Sequence, residues 1–271
     1  HTIPNGGSSY YSGPVIRGKR MEYDPRYLTD VICEGAMQFL DDETDDGTPF
    51  YLGVHYTAPH SPWDHDQHPE ELTALYRDCP FHTCPEEPVH PWQVNSAPRG
   101  TGEKRRELLS GYYAAITAVD TTLGMMLEKL EQKGMRENTL VIFTSDNGMN
   151  MGHHGVWGKG NGTFPFNMYD TSVKVPFLVC PPGGTAATRC SQMVSQYDFL
   201  PTLLDYLGIQ NTLAGSLPGK SFAPLLCGKD LPETHETIVV FDEYGPVRMI
   251  RTSQWKYVHR YPYGPNELYD L

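Results

Sequence analysis

The sequence predicts an α/β fold, in which short strand-like runs alternate with amphipathic helices. The apolar, β-branched run at 139–144 is typical of a buried strand and is followed at once by polar residues. Similar runs occupy 49–55, 173–180 and 237–241, while residues 103–133 carry the spacing of a long helix. The 271 residues are 39% hydrophobic, which is enough for one substantial domain and a smaller piece.

A first helix is predicted to open at Asp24-Pro25 and to continue through Leu40, because its apolar residues share one face. The acidic run at 41–47 ends it. That run is interpreted as a solvated loop, since no EF-hand spacing follows it.

The long helix at 103–133 has apolar residues at mostly three- and four-residue steps, which indicates a core-facing stripe rather than a cofactor site. Gly134 is the predicted C-cap. A shorter helix is predicted at 198–207, with Asp198 as its N-cap and Gly208 at its end. The stripe of the long helix consists of Leu109, Tyr112, Ile116, Val119, Leu123, Met126, Leu127 and Leu130.

Polar residues follow the strand at 139–144. Asp146 and Asn147 come directly after it, and in open α/β sheets ligands bind outside the carboxyl ends of strands. Carboxylate and amide oxygens suit a hard divalent cation, and Lys159, on the glycine-rich loop 155–160, adds a positive charge. Together they predict an anion site built around a metal, although an Asp-Asn pair alone also makes ordinary turns.

His60 falls just past the strand-like run 49–55, between Pro59 and Pro62. Both prolines restrict the backbone, which suits a catalytic acid or base held in place. The alternative is a surface loop histidine, since the chain has eleven histidines. The long stretch 61–102, rich in Pro, His and acidic residues, is expected near the mouth of a pocket, where it could help to select substrate.

Charge and cysteines exclude some functions. The net charge of −12 argues against a nucleic-acid partner, and an anionic substrate would need a locally positive pocket. No apolar run approaches the ~20 residues of a membrane span. Cys79 and Cys84 have a spacing that could suggest zinc, but no second pair follows, so reduced thiols or one disulfide between them are favoured.

Near the C-terminus, the runs 247–251 and 255–259 flank the polar turn 252–254, which predicts a β-hairpin.

Taken together, these segments resemble the type I (formylglycine-dependent) sulfatases of the alkaline-phosphatase-like superfamily, and the resemblance covers nearly the whole chain in order. It implies an alkaline-phosphatase-like sandwich with a mostly parallel central sheet flanked by helices. Residues 1–244 would form part of the catalytic α/β domain, and 245–271 would begin a small antiparallel C-terminal subdomain. The matching segments are 27–30, 59–63, 144–148, 154–160, 169–176, 255–257 and 267–271.

The resemblance also implies roles for single residues. Asp146 and Asn147 would be metal ligands, to Ca²⁺ or alternatively Mg²⁺. Lys159 would bind the sulfate oxygens, and His60 would protonate the leaving alcohol. These roles fit the chemistry, because a sulfate ester leaves as a poor alkoxide unless a proton arrives.

Three further residues are expected near the substrate. His154 would be a pocket contact, and Asn161 and Asn167 would touch the substrate. The triplet 161–163 matches a glycosylation acceptor, but a glycan there would block the expected pocket, so a pocket-lining loop is the preferred interpretation.

The nucleophile motif implied by the resemblance is absent. The formylglycine derives from a Cys/Ser-x-Pro-x-Arg motif, and none of the six cysteines fits it. The family's paired N-terminal aspartates are absent too. The chain is therefore interpreted as an internal fragment that holds about half an active site and is inactive alone. Exposed apolar sheet edges are expected where N-terminal strands would fill the sheet.

The function predicted from the resemblance is hydrolysis of sulfate esters, with a sulfated glycan or an aryl sulfate as substrate. One alternative is a phosphodiesterase or phosphonate hydrolase of the same superfamily. A second is a non-catalytic fragment that only binds sulfated glycans.

Overall fold

The computed structural model describes residues 3–4, 7–42, 47–184, 187, 189–213, 215–229 and 235–271. The chain divides into two compact units: His1–Glu137 with Asn150–Gly158, and Asn138–Met149 with Lys159–Leu271. The described helices are α1 (Leu28–Asp42), α2 (Glu70–Ala74), α3 (Gly102–Gln132), α4 (Asp170–Val173), α5 (Phe199–Tyr206) and α6 (Ala223–Leu226). The described strands are β1 (Gly13–Arg17), β2 (Arg20–Asp24), β3 (Val141–Thr144), β4 (Asn150–Met151), β5 (Trp157–Gly158), β6 (Phe177–Cys180), β7 (Ile238–Phe241), β8 (Val247–Arg251), β9 (Trp255–Arg260) and β10 (Glu267–Asp270).

The first unit is built around α1 and α3. Helix α1 begins at Leu28, four residues later than Asp24, because Asp24 ends the hairpin β1–β2. The side chain of Asp24 is buried and accepts hydrogen bonds from Arg26 and Arg17, which hold the pKa of this carboxyl well below its usual range. These paired charges fix the chain where the hairpin ends, before the helix begins.

Helix α3 confirms the long predicted helix, and its end confirms the predicted cap. Gly134 has a φ of +66°, and Met135 N donates to Leu130 O, as in a Schellman motif. The buried stripe is rotated relative to the prediction: Ala115 and Ala118 pack in the core with Tyr10 and Tyr27, whereas Ile116 is exposed.

No strand forms at 49–55, so that prediction was wrong. The segment is largely apolar and aromatic, but none of the described strands pairs with it. A strand is stable only when its backbone N–H and C=O groups find a neighbouring strand.

In the second unit, β3 pairs antiparallel with β6. One face packs on the helices that follow, whereas Phe143 and Leu178, which are register partners, are exposed. The strand predicted to be buried at 139–144 is therefore only half-buried. Strands and helices combine as an α/β fold, yet every strand pair within the described ranges is antiparallel, so these residues form none of the expected parallel pairs. The apolar groups under the covered face are Leu140, Ile142, Phe177, Val179, Phe199, Leu203, Phe222 and Leu226.

The C-terminal hairpin is confirmed as β8–β9, and it belongs to a four-stranded antiparallel sheet in the order β10-β9-β8-β7. Val247, Met249 and Val258 on its inner face pack with Met168. No helix in the described part of the chain is long and apolar enough to cross a membrane.

Asp198 occupies the N-cap position of α5, as predicted, but its carboxylate makes no cap bond to that helix. Instead it closes a capping box with Ser195 in the preceding 3-10 turn and accepts from the backbone N of Lys220 and from His235. Asp198 is buried, and these donors offset the cost of removing its carboxylate from water.

Candidate active site

His60 lies on a tightly held loop of the first unit. Its backbone N donates to Thr57 O at 2.9 Å, and its ring Nδ1 lies 2.8 Å from Ser61 O. A carbonyl oxygen only accepts, so Nδ1 carries a proton, and Nε2 is the ring nitrogen that gains or loses one. A histidine oriented in this way can act as a general acid or base only through Nε2.

Gly7 lies against the ring of His60. A Cβ at position 7 would come within 2.8 Å of the ring atom Cε1. Glycine thus permits the backbone at position 7 to approach the ring closely. This close approach limits rotation of the imidazole on this side.

His154 lies between β4 and β5 in the same unit and is exposed. Its φ of +57° places it in the left-handed region, which is uncommon for a residue other than glycine. Gly152 and Gly155 flank it, and a Cβ at either would come within 2.1 Å of a carbonyl oxygen, of Pro85 or Pro88. The segment that carries His154 is thus closely packed against residues 85–88. The backbone of His154 is strained, and its ring is exposed.

Asp146 and Asn147 lie together in one turn of the second unit. Asp146 Oδ1 accepts from the backbone N of Asn147 at 2.9 Å, and Gln196 Nε2 donates to Ser145 O at 2.7 Å. Asp146 is exposed and Asn147 is half-buried. The turn therefore presents a carboxylate and an amide at the end of β3, where the sequence predicted them.

Gly148 fixes the far side of that turn. Its N donates to Ser172 O at 2.9 Å, and a Cβ at this position would lie 2.1 Å from Thr171 O. Only glycine allows the two backbone segments to come this close.

Lys159 is the N-cap of a 3-10 turn, and the side chain of Asn167 hydrogen-bonds to the backbone of this loop. The amide Nδ2 of Asn167 donates to Lys159 O at 3.2 Å and to Gly160 O at 3.1 Å, and Gly162 N donates to Lys159 O. Asn167 is 2% exposed, so it positions this loop and does not face a substrate as the sequence suggested. No ion pair occupies Lys159 Nζ among the residues that the structure describes.

A chain of hydrogen bonds connects the Lys159 loop to the Asp146 turn. Asn167 Oδ1 accepts from Ser172 Oγ at 2.7 Å, and Ser172 O accepts from Gly148 N. Ser172 is buried as well. Two buried polar residues therefore link the proposed anion-binding lysine to the proposed metal ligands.

Asn161 is exposed on the Lys159 loop, consistent with a substrate-facing position. Thr163, the third residue of the glycosylation triplet, is fully buried, and its hydroxyl donates to Pro165 O at 2.7 Å. A hydroxyl engaged in this way favours the interpretation of the triplet as a structured loop.

The oxygen donors of Asp146 and Asn147 suit Ca²⁺ or Mg²⁺ in kind, but two residues supply fewer than the 6–8 ligands of Ca²⁺. Within the described ranges no three His, Cys, Asp or Glu side chains converge as a metal cluster. Cys79 and Cys84 are free thiols, so the disulfide expected as one alternative is not formed.

The candidate residues fall into both units. His60 and His154 belong to the first, and Asp146, Asn147, Lys159 and Asn161 belong to the second. Sequence reasoning missed the positioning roles of Asn167 and Ser172. One signal was available for Asn167: it is a polar residue between the apolar neighbours Phe166 and Met168.

Comparison with known proteins gives a consistent result. The family model described as Sulfatase matches residues 3–209, and the model described as N-sulphoglucosamine sulphohydrolase, C-terminal, matches residues 152–271. An ulvan-active sulfatase of Formosa agariphila is 30% identical over 262 residues, which cover 92% of this chain and 47% of that protein. The chain spans about half the length of the curated relatives it matches.

Solved structures show the same fold. One, in complex with its substrate D-glucosamine-2-N,6-O-disulfate, has a TM-score of 0.75 at 21% identity, covering 97% of this chain and 66% of that chain. A phosphonate monoester hydrolase from Silicibacter pomeroyi has a TM-score of 0.73 at 19% identity, covering 99% and 60%. Both confirm the alkaline-phosphatase-like fold class expected from the sequence.

Proposed function

The chain belongs to the sulfatase family, and we propose that its gene product hydrolyses sulfate esters of a glycan. The observation that carries the proposal is the match of the Sulfatase model to residues 3–209, which contain every proposed site residue. The substrate class draws on relatives: one is named an ulvan-active sulfatase, and one structural neighbour holds a disulfated glucosamine as its substrate.

His60 is the proposed general acid. Its Nδ1–H is engaged by Ser61 O, so Nε2 is the nitrogen from which a proton would reach the oxygen of the leaving alcohol. Such a transfer contributes roughly 10²–10⁴-fold when the leaving group is a poor one.

Lys159 is the proposed partner of the sulfate oxygens. Its backbone is held by Asn167 and Gly162, so the lysine side chain extends from a preformed loop. Its positive charge also offsets, at short range, the net charge of −12 that would otherwise repel an anionic ester. His154 and Asn161, both exposed, are the proposed contacts to the rest of the substrate.

Asp146 and Asn147 would hold a divalent metal, Ca²⁺ with Mg²⁺ as the alternative, and further ligands would have to complete its shell. A bound cation supplies charge neutralisation at the sulfate. The formylglycine of the family supplies the nucleophilic oxygen and is expected outside this chain. Residues 1–244 are proposed as part of the catalytic domain and 245–271 as the start of the C-terminal subdomain.

One alternative keeps the fold and changes the ester. The phosphonate monoester hydrolase from Silicibacter pomeroyi has nearly the same TM-score as the glucosamine-bound structure, so the fold alone does not separate the two chemistries. A gene product that binds sulfated glycans without cleaving them is the other candidate.

The complete gene product should be assayed for release of sulfate from 4-nitrophenyl sulfate and from sulfated oligosaccharides, with calcium and with a chelator. We expect calcium-dependent release of sulfate from the oligosaccharides. A phosphonate monoester should be assayed in parallel, and faster cleavage of that ester would assign the sister activity. Binding of the oligosaccharides with no release from any ester would leave the binding function.

A further inference from the structure

The loop that carries His60 has an unusual feature: four consecutive backbone carbonyls each accept a hydrogen bond from a side chain. Trp63 Nε1 donates to Pro59 O at 2.8 Å, and Tyr10 OH donates to His60 O at 2.8 Å. His60 Nδ1 donates to Ser61 O at 2.8 Å, and His68 Nε2 donates to Pro62 O at 3.1 Å. Three of the donors, those of Trp63, Tyr10 and His68, are buried at 1%, 0% and 3% exposure.

Two of these buried donors, Tyr10 and His68, form one cluster with Tyr27. The rings of Tyr10 and His68 lie 4.5 Å apart, and Tyr27 OH lies 3.0 Å from His68 Nδ1. Because Pro62 O can only accept, the proton of His68 is on Nε2, and Nδ1 accepts from Tyr27 OH. Burial raises the pKa of both Tyr10 and Tyr27, so both hydroxyls stay protonated as donors.

We propose that Tyr10 and His68 are positioning residues for the catalytic proton of His60, an inference that rests on the proposed function. If the carbonyls of residues 60 and 62 are fixed, the carbonyl of Ser61 between them is fixed too. Ser61 O in turn sets the tautomer and the direction of the His60 ring. Neither Tyr10 nor His68 needs to touch the substrate to act in this way.

The proposal distinguishes positioning from general support of the fold. Loss of a correctly aimed acid slows only reactions whose leaving group needs a proton. A sugar alcohol needs one, whereas 4-nitrophenolate leaves readily without it. Destabilisation of the fold would slow both reactions alike.

The test uses the complete gene product with Tyr10→Phe, His68→Leu and His68→Gln, and Tyr76→Phe as the matched control. Tyr76 OH bonds Thr117 Oγ1 in the same unit and, among the described residues, donates to none of the loop carbonyls of residues 59–62. We expect Tyr10→Phe and His68→Leu to lower kcat on a sugar sulfate about 10-fold and to change kcat on 4-nitrophenyl sulfate less than about 2-fold. His68→Gln, whose amide N can still donate to Pro62 O, should restore the sugar sulfate rate.

Amide exchange over residues 57–63 gives a readout that does not depend on activity. We expect exchange about 10-fold faster in Tyr10→Phe and His68→Leu than in Tyr76→Phe. Equal losses on both esters, or unchanged exchange, would overturn the proposal. If the wild type cleaves no sulfate ester, the proposed function fails, and the exchange measurement alone then decides whether these donors hold the loop.

Discussion

The His60 loop and the Asp146 turn differ in what holds them and in what they expose. The carbonyls of the His60 loop accept hydrogen bonds from buried side chains, among them Tyr10, which lies 50 residues away in the sequence. The Asp146 turn is held by the bond from Gly148 N to Ser172 O and by the bond from Gln196 Nε2 to Ser145 O, and the carboxylate of Asp146 is exposed. The donors that hold the His60 loop all lie in its own unit, whereas the Asp146 turn supplies only part of the oxygen ligands that a metal ion would need.

This difference follows from what each group is proposed to do. A proton donor needs one direction, and a buried network can enforce it. Metal ligands need a shell of several oxygens, and Asp146 and Asn147 supply only part of it. Substitutions in the first region should therefore change the chemistry of the leaving group, whereas those in the second should change the binding of the metal and the anion.

The largest effect expected from the second region is at Lys159. Lys159→Met removes the cation proposed to hold the sulfate, and kcat/KM for sulfate release should fall about 10²–10³-fold. Lys174→Met is the matched control, because Lys174 is an exposed lysine of the same unit. Steady-state kinetics on a sulfated oligosaccharide would measure the effect, and an equal loss in both variants would contradict it.

Asn167 and Asn161 sharpen the comparison within the Lys159 loop. Asn167→Ala removes the side-chain hydrogen bonds to Lys159 O and Gly160 O, which keep their backbone donors, and the amide oxygen that accepts from Ser172 Oγ, so stability should fall by about 1–3 kcal/mol. Asn161→Ala changes an exposed side chain and should shift stability by less than about 0.5 kcal/mol while raising KM. Thermal unfolding and KM should be measured on both variants. A loss of stability in Asn161→Ala, together with a change in KM alone in Asn167→Ala, would refute the assignment.

A smaller, pH-dependent effect is expected at His68 in the first region. Burial is the main cause that lowers the pKa of His68, from 6.5 to about 4, with the neighbouring charge of His65 adding to it and the Pro62 carbonyl, Asp64 and Asp66 opposing it. The unfolded chain takes up this proton first as the pH falls. The stability contributed by neutral His68 is therefore complete above about pH 6.5 and declines towards pH 4, by at most about 3 kcal/mol.

Urea unfolding at several pH values, for the wild type and His68→Gln, measures this term. As the pH falls from 7 to 4, the free energy of unfolding should decrease more for the wild type than for His68→Gln. Parallel profiles would show that His68 does not stay neutral in the folded protein.

The sequence predicted those features whose causes are local. Helix α3 follows from apolar spacing, and Gly134 marked its end. The restricted backbone around His60 follows from two prolines. The turn at Asp146 follows from a polar segment directly after a β-branched run. In each case neighbouring residues contain the information.

Features that depend on distant partners could not be predicted. The run 49–55 has strand composition, but a strand exists only with a neighbour, and none of the described strands pairs with it. The buried side of α3 is set by the aromatic residues Tyr10 and Tyr27, which face its alanines. Asn167 was expected at the substrate, but the carbonyls it satisfies were visible only in three dimensions.

The most direct test of the central claim is the dependence of turnover on the leaving group in His60→Ala. Turnover of a sugar sulfate and of 4-nitrophenyl sulfate by the complete gene product should be measured beside calcium binding. We predict a loss of about 10²–10⁴-fold on the sugar sulfate, a much smaller loss on the aryl ester, and unchanged calcium affinity. Equal turnover of the sugar sulfate by the variant and the wild type would contradict the account.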